Sequence, residues 1–328
     1  SSAASDVYKR QVFTRSATES INLAAASWGM HNLKPGDEIL LSEAEHHANL
    51  VPWQMVRDQT GCTLNFFAVN DDGSFNPENF YRALTPRTKL VGVAGISNVL
   101  GTVFPVKEIA AAAHANGALC LVDACQSVVH QKIDVKDIGC DFLAFSGHKT
   151  YGPTGIGVLY GRYELLAAMP PYQTGGDMVK SVTLQHTEFA EPPARFEAGT
   201  PAIAEAVGLG AALEYMSRLG MENIAAHEKA LMDYALTRLA EIPELKVVGT
   251  APDKGGVIAF ALGSIHPQDV AFVLDKEGVA IRTGHHCAEP IVNRMGYTSL
   301  ARASFGLYTT KEDIDRFVAA LNKAKSFF

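Results

Sequence analysis

"CDFLAFSGHKTYGPTGIGVLYG", residues 140–161, places a polar turn between two apolar runs. The runs at 140–146 and 155–161 are typical of buried strands, because sheets covered on both faces have near-continuous apolar strands. The turn between them carries Ser146, His148 and Lys149. This stretch therefore predicts a buried sheet that presents ionisable groups where one of its strands ends.

The same pattern of strand and helix repeats upstream of this stretch. Apolar runs predict strands at 37–42, 63–69, 88–96 and 118–124. Periodicity and capping residues predict helices at 49–61, 76–84 and 106–117, the last ending at Gly117. Strict alternation of strands and helices favours a mainly parallel sheet with helices on both faces.

The chain changes character downstream. Two long helices are predicted at 202–220 and 221–242, and an α+β pattern follows, with strands at 246–249, 256–262 and 279–284 and helices near 267–277 and from about Lys311. We therefore predict a large domain, 12–220, and a smaller C-terminal domain, 221–328. Residues 1–11 lack periodicity, and "DVYKRQ" matches a translated sequencing-library adapter. We interpret them as an artefact preceding a chain truncated near Val12, or else as a disordered leader.

Composition excludes several classes of protein. The formal charge is −7, from 28 basic and 35 acidic residues, which argues against a nucleic-acid binder. No apolar run approaches the roughly 20 residues of a membrane span. The five cysteines are an odd number without paired spacing, so they predict neither a disulfide framework nor a zinc site. A cytoplasmic location is the default expectation.

Polar groups follow several predicted strands and should meet at one sheet edge, where ligands bind in open parallel sheets. They are His46, His47, Asn98, Asp123, Gln126, Ser146, His148 and Lys149. A lysine amine and a carboxylate on neighbouring strand ends suit pyridoxal phosphate, which needs a Schiff-base partner and a partner for its ring nitrogen. The small residues at 16–18 open a helix whose N-terminus could hold the phosphate. Taken singly, each residue is more simply a cap, a solvated charge or a surface hydrogen-bonding group.

Several motifs together resemble one family. They are "EHHANLVPWQ", "SNVLGT", "VDACQSVVH", "FSGHKTYGPTGIGVLYG", "RFEAGTP" and "RTGHHCAEP". They are similar to those of the SUF-type (group II) cysteine desulfurases, fold-type-I pyridoxal-phosphate enzymes whose family also includes selenocysteine lyases. The resemblance covers the chain from Val12 onward. It implies the aspartate aminotransferase type of α/β fold, with a mainly parallel seven-stranded sheet flanked by helices and a smaller α+β C-terminal domain.

The resemblance also implies a role for each matching position. Lys149 would form the Schiff base and move the Cα proton, Asp123 would pair with the pyridine nitrogen, and His46 would stack on the ring. The other cofactor contacts would be Gln126, Thr18, Ser146, His148, Asn98 and, from the second subunit of a homodimer, Thr200. The substrate would be bound by Asn98, Arg282 and Arg302. In "SATE", Ala17 stands where relatives usually have a hydroxyl residue, which removes one possible phosphate contact.

Cys287, in "RTGHHCAEP", is the implied sulfur acceptor. L-Cysteine would be converted to L-alanine, leaving a persulfide on Cys287 for iron–sulfur cluster assembly. The thiolate needs stabilisation, for which Arg282, His285 and His286 are candidates. The cysteine loop is short, so the resemblance implies a SufE- or SufU-like acceptor that reaches into the site, with scaffold proteins served indirectly. The other four cysteines are expected to be packing residues.

Other functions remain open from the sequence. Selenocysteine lyase is the nearest alternative. An aminotransferase or epimerase on the same fold would keep Lys149 and Asp123 without needing Cys287, and a partner-binding relic would be expected to have lost them. A zinc site built from His46, His47, His285 and His286 would leave the lysine and the aspartate unexplained, so we expect no metal.

Overall fold

The computed structural model describes residues 7–328. Most of the predicted leader, residues 1–6, lies outside the described residues. Strand β1 (Gln11–Thr14) begins at the last residue that the sequence assigned to this leader, and Gln11 pairs with Tyr160. The backbone carbonyl of Arg10 accepts a hydrogen bond of 2.9 Å from the amide of Gly161, which extends the same edge of the sheet.

A seven-stranded sheet forms the centre of the described chain, in the order β1-β7-β6-β5-β4-β2-β3. Its other strands are β2 (Glu38–Ser42), β3 (Thr63–Phe67), β4 (Thr88–Ala94), β5 (Leu119–Asp123), β6 (Phe142–Ser146) and β7 (Gly157–Gly161). Strands β2 to β6 are mutually parallel, as predicted. Strand β7 runs antiparallel to β6 and β1, because the segment 147–156 is too short for the crossover that a parallel pair requires.

Helices cover both faces of this sheet. Their bounds are Ala17–Leu23, continued by a π-helical segment Ala24–Gly29 and a last turn Met30–Asn32, then Val51–Thr60, Pro77–Ala83, Val106–Ala115, Ser127–His130, Val135–Ile138, Tyr163–Ala168 and Ile203–Leu219. Two apolar clusters fill the space on either side: Val91, Val93 and Ile109 belong to one, and Leu41 and Trp53 to the other. The predicted strands β2, β4, β5 and β6 are thus buried on both faces, whereas the edge strand β3 leaves Thr63 and Phe66 exposed.

A four-stranded antiparallel sheet follows, in the order β10-β11-β13-β12. Its strands are β10 (Leu245–Val248), β11 (Val257–Leu262), β12 (Arg282–Gly284) and β13 (Leu300–Ser304), and its helices are Met221–Leu239, Pro267–Lys276, Glu289–Arg294 and Lys311–Phe327. The sequence pattern does not predict β13, and it predicts a strand at 279–284 where β12 spans only Arg282–Gly284. It also missed an exposed hairpin of β8 (Val179–Val182) and β9 (Thr187–Phe189).

The predicted domain boundary at 221 falls at Gly220, between two long helices. A core around Phe260, Leu274 and Leu321 belongs to the C-terminal part alone. Ala259 and Ile291, however, pack in the same cluster as the buried residues of the large sheet. The division into 12–220 and 221–328 therefore stays a prediction. Within residues 7–328, every helix is too short or too polar to cross a lipid bilayer.

Candidate active site

A carboxylate and a lysine lie together at the carboxyl edge of the large sheet. Asp123 is the last residue of β5, and Lys149 lies in the 3-10 turn Gly147–Lys149 that follows β6. Because β5 and β6 are parallel neighbours, both residues reach the same edge. Asp123 is only 6% exposed, and its Oδ1 accepts a 3.0 Å hydrogen bond from the amide of Cys125.

His46 lies near the charged side chains at the carboxyl edge of the large sheet. It follows β2 and caps the 3-10 turn His47–Asn49, with Nδ1 accepting a 3.0 Å hydrogen bond from the amide of Ala48. Burial lowers the pKa of His46 to about 4; Asp123 raises it, and Lys149 and Arg282 lower it further. The imidazole is therefore neutral at pH 7, and the carboxylate and both cations lie close enough to act on it.

The start of the helix Ala17–Leu23 is fastened to the end of β6. The Ser146 hydroxyl accepts a 2.8 Å hydrogen bond from the amide of Ala17, and Ser16 caps the helix by accepting from the amide of Glu19. Thr18 is exposed one residue further along, and His148 is exposed in the turn beside Lys149. Two segments that were predicted to hold the phosphate, the start of the helix Ala17–Leu23 and the end of β6, are thus hydrogen-bonded to each other.

Two other predicted cofactor residues occupy separate positions. Gln126 is half-buried and immediately precedes the short helix Ser127–His130, three residues after Asp123. Thr200 is exposed and lines a cavity of about 510 Å³ together with Thr14 and Gly155. Their predicted contacts with a cofactor stay predictions.

The cysteine loop lies against the same edge. His286 and Cys287 have backbone φ angles of 54° and 56°, in the left-handed region that non-glycine residues rarely adopt. The amide of His47 donates a 2.7 Å hydrogen bond to the carbonyl of Cys287. Arg282, exposed on β12, places Nη2 3.6 Å from the Cys287 sulfur. Cys287 is thus held beside the turn that carries His46.

Arg302 is a mostly buried cation at this site. It lies on β13, and its Nη1 donates a 2.8 Å hydrogen bond to the carbonyl of Asn98. Burial, and secondly the charge of Arg282, lower the pKa of Arg302 to about 10. Its Nε is buried without a hydrogen-bond partner, and so is the side-chain oxygen of Asn98. A buried guanidinium with a free donor is suited to an anionic ligand such as a carboxylate.

Glu45 and Asn49, for which the sequence pattern predicts no role, brace the turn that carries His46. Glu45 is buried and accepts hydrogen bonds from the Asn49 side chain, at 2.7 Å, and from the amide of Ala94, at 2.9 Å. Asn49 in turn accepts one from Trp53. Burial raises the pKa of Glu45 to about 8. Neither residue could be assigned this role from the sequence, because Glu45 precedes the 3-10 turn His47–Asn49 and its acceptor role depends on β4 lying alongside.

The histidines of the zinc hypothesis make other contacts. His286 Nε2 donates to the carbonyl of Leu300 at 3.0 Å, and His47 Nε2 accepts from the amide of Glu289 at 3.1 Å. Within residues 7–328, His, Cys, Asp and Glu side chains form no group of three or more that could hold a metal ion. The zinc alternative therefore has no support in this geometry.

Comparisons with known proteins agree with one another. The family described as aminotransferase class-V matches residues 5–317. The cysteine desulfurase of Dickeya dadantii (strain 3937) is 53% identical over 313 residues, which are 95% of this chain and 76% of that relative. The structure of the cysteine desulfurase CsdA (S-sulfonic acid) from Escherichia coli matches with a TM-score of 0.93 at 39% identity, covering 98% of this chain and 80% of that one. The apo cysteine desulfurase from Thermococcus onnurineus NA1 matches with a TM-score of 0.95 at 37% identity, covering 99% and 82%.

Proposed function

This chain belongs to the class-V aminotransferase family, and on that premise we propose that it is a cysteine desulfurase, which converts L-cysteine to L-alanine and a persulfide on Cys287. The observation that carries the proposal is the hydrogen bond between the Cys287 loop and the turn of His46, at the edge where Asp123 ends β5 and Lys149 follows β6. This contact supports a single site bordered by the Cys287 thiol, the Lys149 amine and the Asp123 carboxylate.

The cofactor is pyridoxal 5′-phosphate, and the side chains at this edge fit it. Asp123 would pair with the pyridine nitrogen, since it is a buried carboxylate with one oxygen already fixed by an amide. Lys149 would hold the aldehyde carbon through its amine. The neutral imidazole of His46 would lie over the ring, and Gln126 would reach the ring hydroxyl. Thr18, Ser146 and His148 would hold the phosphate, with Thr200 of a second subunit.

When bound, the cofactor supplies an electron sink that acidifies the substrate Cα–H and weakens its Cβ–S bond. Lys149 Nζ would accept the Cα proton and return one to the product. Arg302 and Asn98 would bind the substrate carboxylate, because the unpaired Nε–H of Arg302 and the second N–H of the Asn98 side-chain amide can each donate a hydrogen bond to it. Arg282 would line the pocket beside the thiol. These contacts fix the substrate sulfur relative to the cysteine loop.

Cys287 would complete the reaction as the nucleophile. Its thiolate attacks the substrate sulfur, the new S–S bond forms as the Cβ–S bond breaks, and the alanine portion leaves after it takes up a proton. Arg282 is the group placed to stabilise the thiolate, at 3.6 Å from the sulfur. His286 is less suited, because burial lowers its pKa to about 4 and leaves it neutral.

We further propose that the chain is of the SUF type and acts as a homodimer. The short loop "RTGHHCAEP" supports this subgroup. Since backbone contacts hold Cys287 in place, a SufE- or SufU-like acceptor would have to bring its own thiol into the site. The free state of all five cysteines supports a reducing compartment such as the cytoplasm.

One incubation tests the activity. The pyridoxal-phosphate-loaded protein is mixed with L-cysteine, and alanine and protein-bound persulfide are measured together. We expect both to form, Cys287→Ser to abolish both, and Cys62→Ser to leave both unchanged. Turnover of L-cysteine that persists in Cys287→Ser without alanine or persulfide would instead favour an aminotransferase or epimerase. Parallel assays with selenocysteine test the lyase alternative.

A further inference from the structure

His47 forms hydrogen bonds with the cysteine loop on both sides of Ala288. Its backbone amide donates to the carbonyl of Cys287 at 2.7 Å, and its side-chain Nε2 accepts from the amide of Glu289 at 3.1 Å. The cysteine loop is thereby joined to a turn 240 residues earlier in the chain, through the side chain and the backbone amide of His47. None of the proposed catalytic steps uses this imidazole.

The part of the loop that leads into these two contacts is under conformational strain. His286 and Cys287 are both non-glycine residues at positive φ, and such conformations persist only where surrounding contacts enforce them. Asn98 holds the carbonyl of His286, and Leu300 holds its imidazole. His47 holds the backbone on either side of Ala288, at the carbonyl of Cys287 and at the amide of Glu289.

The amide of Glu289 also needs a partner for a second reason. Glu289 is the first residue of the helix Glu289–Arg294, and the amides of a first helical turn have no acceptor within the helix. The His47 side chain supplies that acceptor and so fixes where the helix begins. Loss of this acceptor would free the junction between the helix and the cysteine loop, which allows the strained residues to relax.

We propose that the His47 side chain is a positioning residue that keeps the Cys287 sulfur beside Arg282 and directed at the substrate sulfur. This inference rests on the proposed desulfurase function for its kinetic consequence, whereas its structural consequence is independent of it. The imidazole touches neither substrate nor cofactor in this scheme. It acts only through the backbone of the loop.

Two measurements separate this role from general stabilisation. The first is amide hydrogen exchange of the peptide 285–291, which needs neither cofactor nor substrate. We expect His47→Ala to speed its exchange by about 10-fold while other peptides are unchanged. His47→Gln should restore protection, because its side-chain oxygen reaches the position of Nε2. His47→Asn is one bond too short and should behave like His47→Ala, and His31→Ala is the control at an exposed histidine elsewhere.

The second measurement compares two rates in the loaded enzyme. Solvent exchange of the Cα proton of L-alanine reports on Lys149, and persulfide formation from L-cysteine reports on Cys287. We expect His47→Ala to slow persulfide formation about 10-fold and to leave Cα exchange within about 2-fold, with His47→Gln close to the unmodified protein.

The proposal is overturned if His47→Ala leaves the exchange of 285–291 unchanged, if both rates fall together, or if His47→Gln is as impaired as His47→Ala. Failure of the proposed function is a different result, because the unmodified protein would then form no persulfide. The hydrogen-exchange comparison would still report whether the His47 side chain holds the cysteine loop in place.

Discussion

The side-chain amide of Asn98 donates a 2.7 Å hydrogen bond to the backbone carbonyl of His286, 188 positions later in the chain. The backbone carbonyl of Asn98 accepts from Arg302 at 2.8 Å, so the same residue also holds the buried guanidinium. The loop after β4 therefore connects the cysteine loop with the proposed carboxylate site. A change in one should be felt by the other.

Replacement of Asn98 by Ala tests this connection. The carbonyl of His286 loses its donor, and we expect the free energy of unfolding to fall by about 1–3 kcal/mol. We also expect KM for L-cysteine to rise about 10-fold, because the amide no longer contributes to carboxylate binding. Urea unfolding and steady-state kinetics measure the two effects. A destabilised variant with unchanged KM would show that Asn98 supports the loop without binding substrate.

The sequence located the large sheet and its edge because the signals there are local. Strands β4, β5 and β6 are apolar runs, and the polar residues that end them, such as Asp123, stand out beside them. Strand β13 was not predicted, because "LARAS" is short and Arg302 stands there among small residues. The strand nevertheless carries Arg302 into a mostly buried position. Its strand character comes from pairing with β11 and β12.

The contacts that hold the site together could not be predicted. The sequence singled out Cys287 from its polar neighbours, but the left-handed backbone at 286 and 287 depends on partners far away in the chain. The buried Glu45 and the grip of His47 likewise arise only when β2, β4 and the cysteine loop come together. Tertiary contacts decide such features, whereas periodicity reports only on the segment itself.

Thiol reactivity should single out Cys287 in the folded protein. Cys62, Cys120, Cys125 and Cys140 are buried, and burial raises the pKa of Cys125 and Cys140 to about 12. Cys287 is partly exposed and lies 3.6 Å from a guanidinium. We expect iodoacetamide to modify it about 100-fold faster than the others. Mass spectrometry should find one adduct on the native protein and none on Cys287→Ser, and denatured protein should react at every cysteine; rapid native labelling elsewhere would contradict this.

Gly157 allows β7 to pass close to the start of the first helix. A Cβ atom there would lie 2.6 Å from the Cα and carbonyl carbon of Ser16, which are backbone atoms that cannot move alone. We expect Gly157→Ala to lower the free energy of unfolding by about 1–3 kcal/mol. It should also weaken pyridoxal-phosphate binding about 10-fold, because the contact between Ala17 and Ser146 shifts.

Absorbance titration of the cofactor and urea unfolding measure these two effects. Gly210→Ala is the matched control, since no atom lies within 4 Å of its added Cβ and alanine favours a helix by about 0.5–1 kcal/mol. An unchanged cofactor affinity in Gly157→Ala would mean that the helix start does not hold the phosphate.

Acidification should destabilise the protein through its buried histidines. The pKa of His286 is lowered to about 4, first by burial and then by the charge of Arg302. Its pKa in the folded state is thus below the unfolded value of about 6.5, so the stabilisation is present above pH 6.5 and is lost as pH falls toward 4. The unfolded chain takes up a proton that the folded protein does not. Between pH 7 and 5 this amounts to about 2 kcal/mol for His286.

His286→Gln isolates that contribution. Gln keeps a donor for the carbonyl of Leu300 but does not titrate, so the loss of unfolding free energy between pH 7 and 5 should be about 2 kcal/mol smaller than in the unmodified protein. Urea unfolding at the two pH values gives the difference, and His31→Gln, at an exposed site, should leave it unchanged. The pKa of Glu45 is raised to about 8, so its contribution to the unfolding free energy is lost as pH rises, which is opposite to that of His286. Because Glu45 is present in all three proteins, its contribution cancels when their pH dependences are compared. Equal pH dependence in His286→Gln and the unmodified protein would show that His286 is already charged at pH 5.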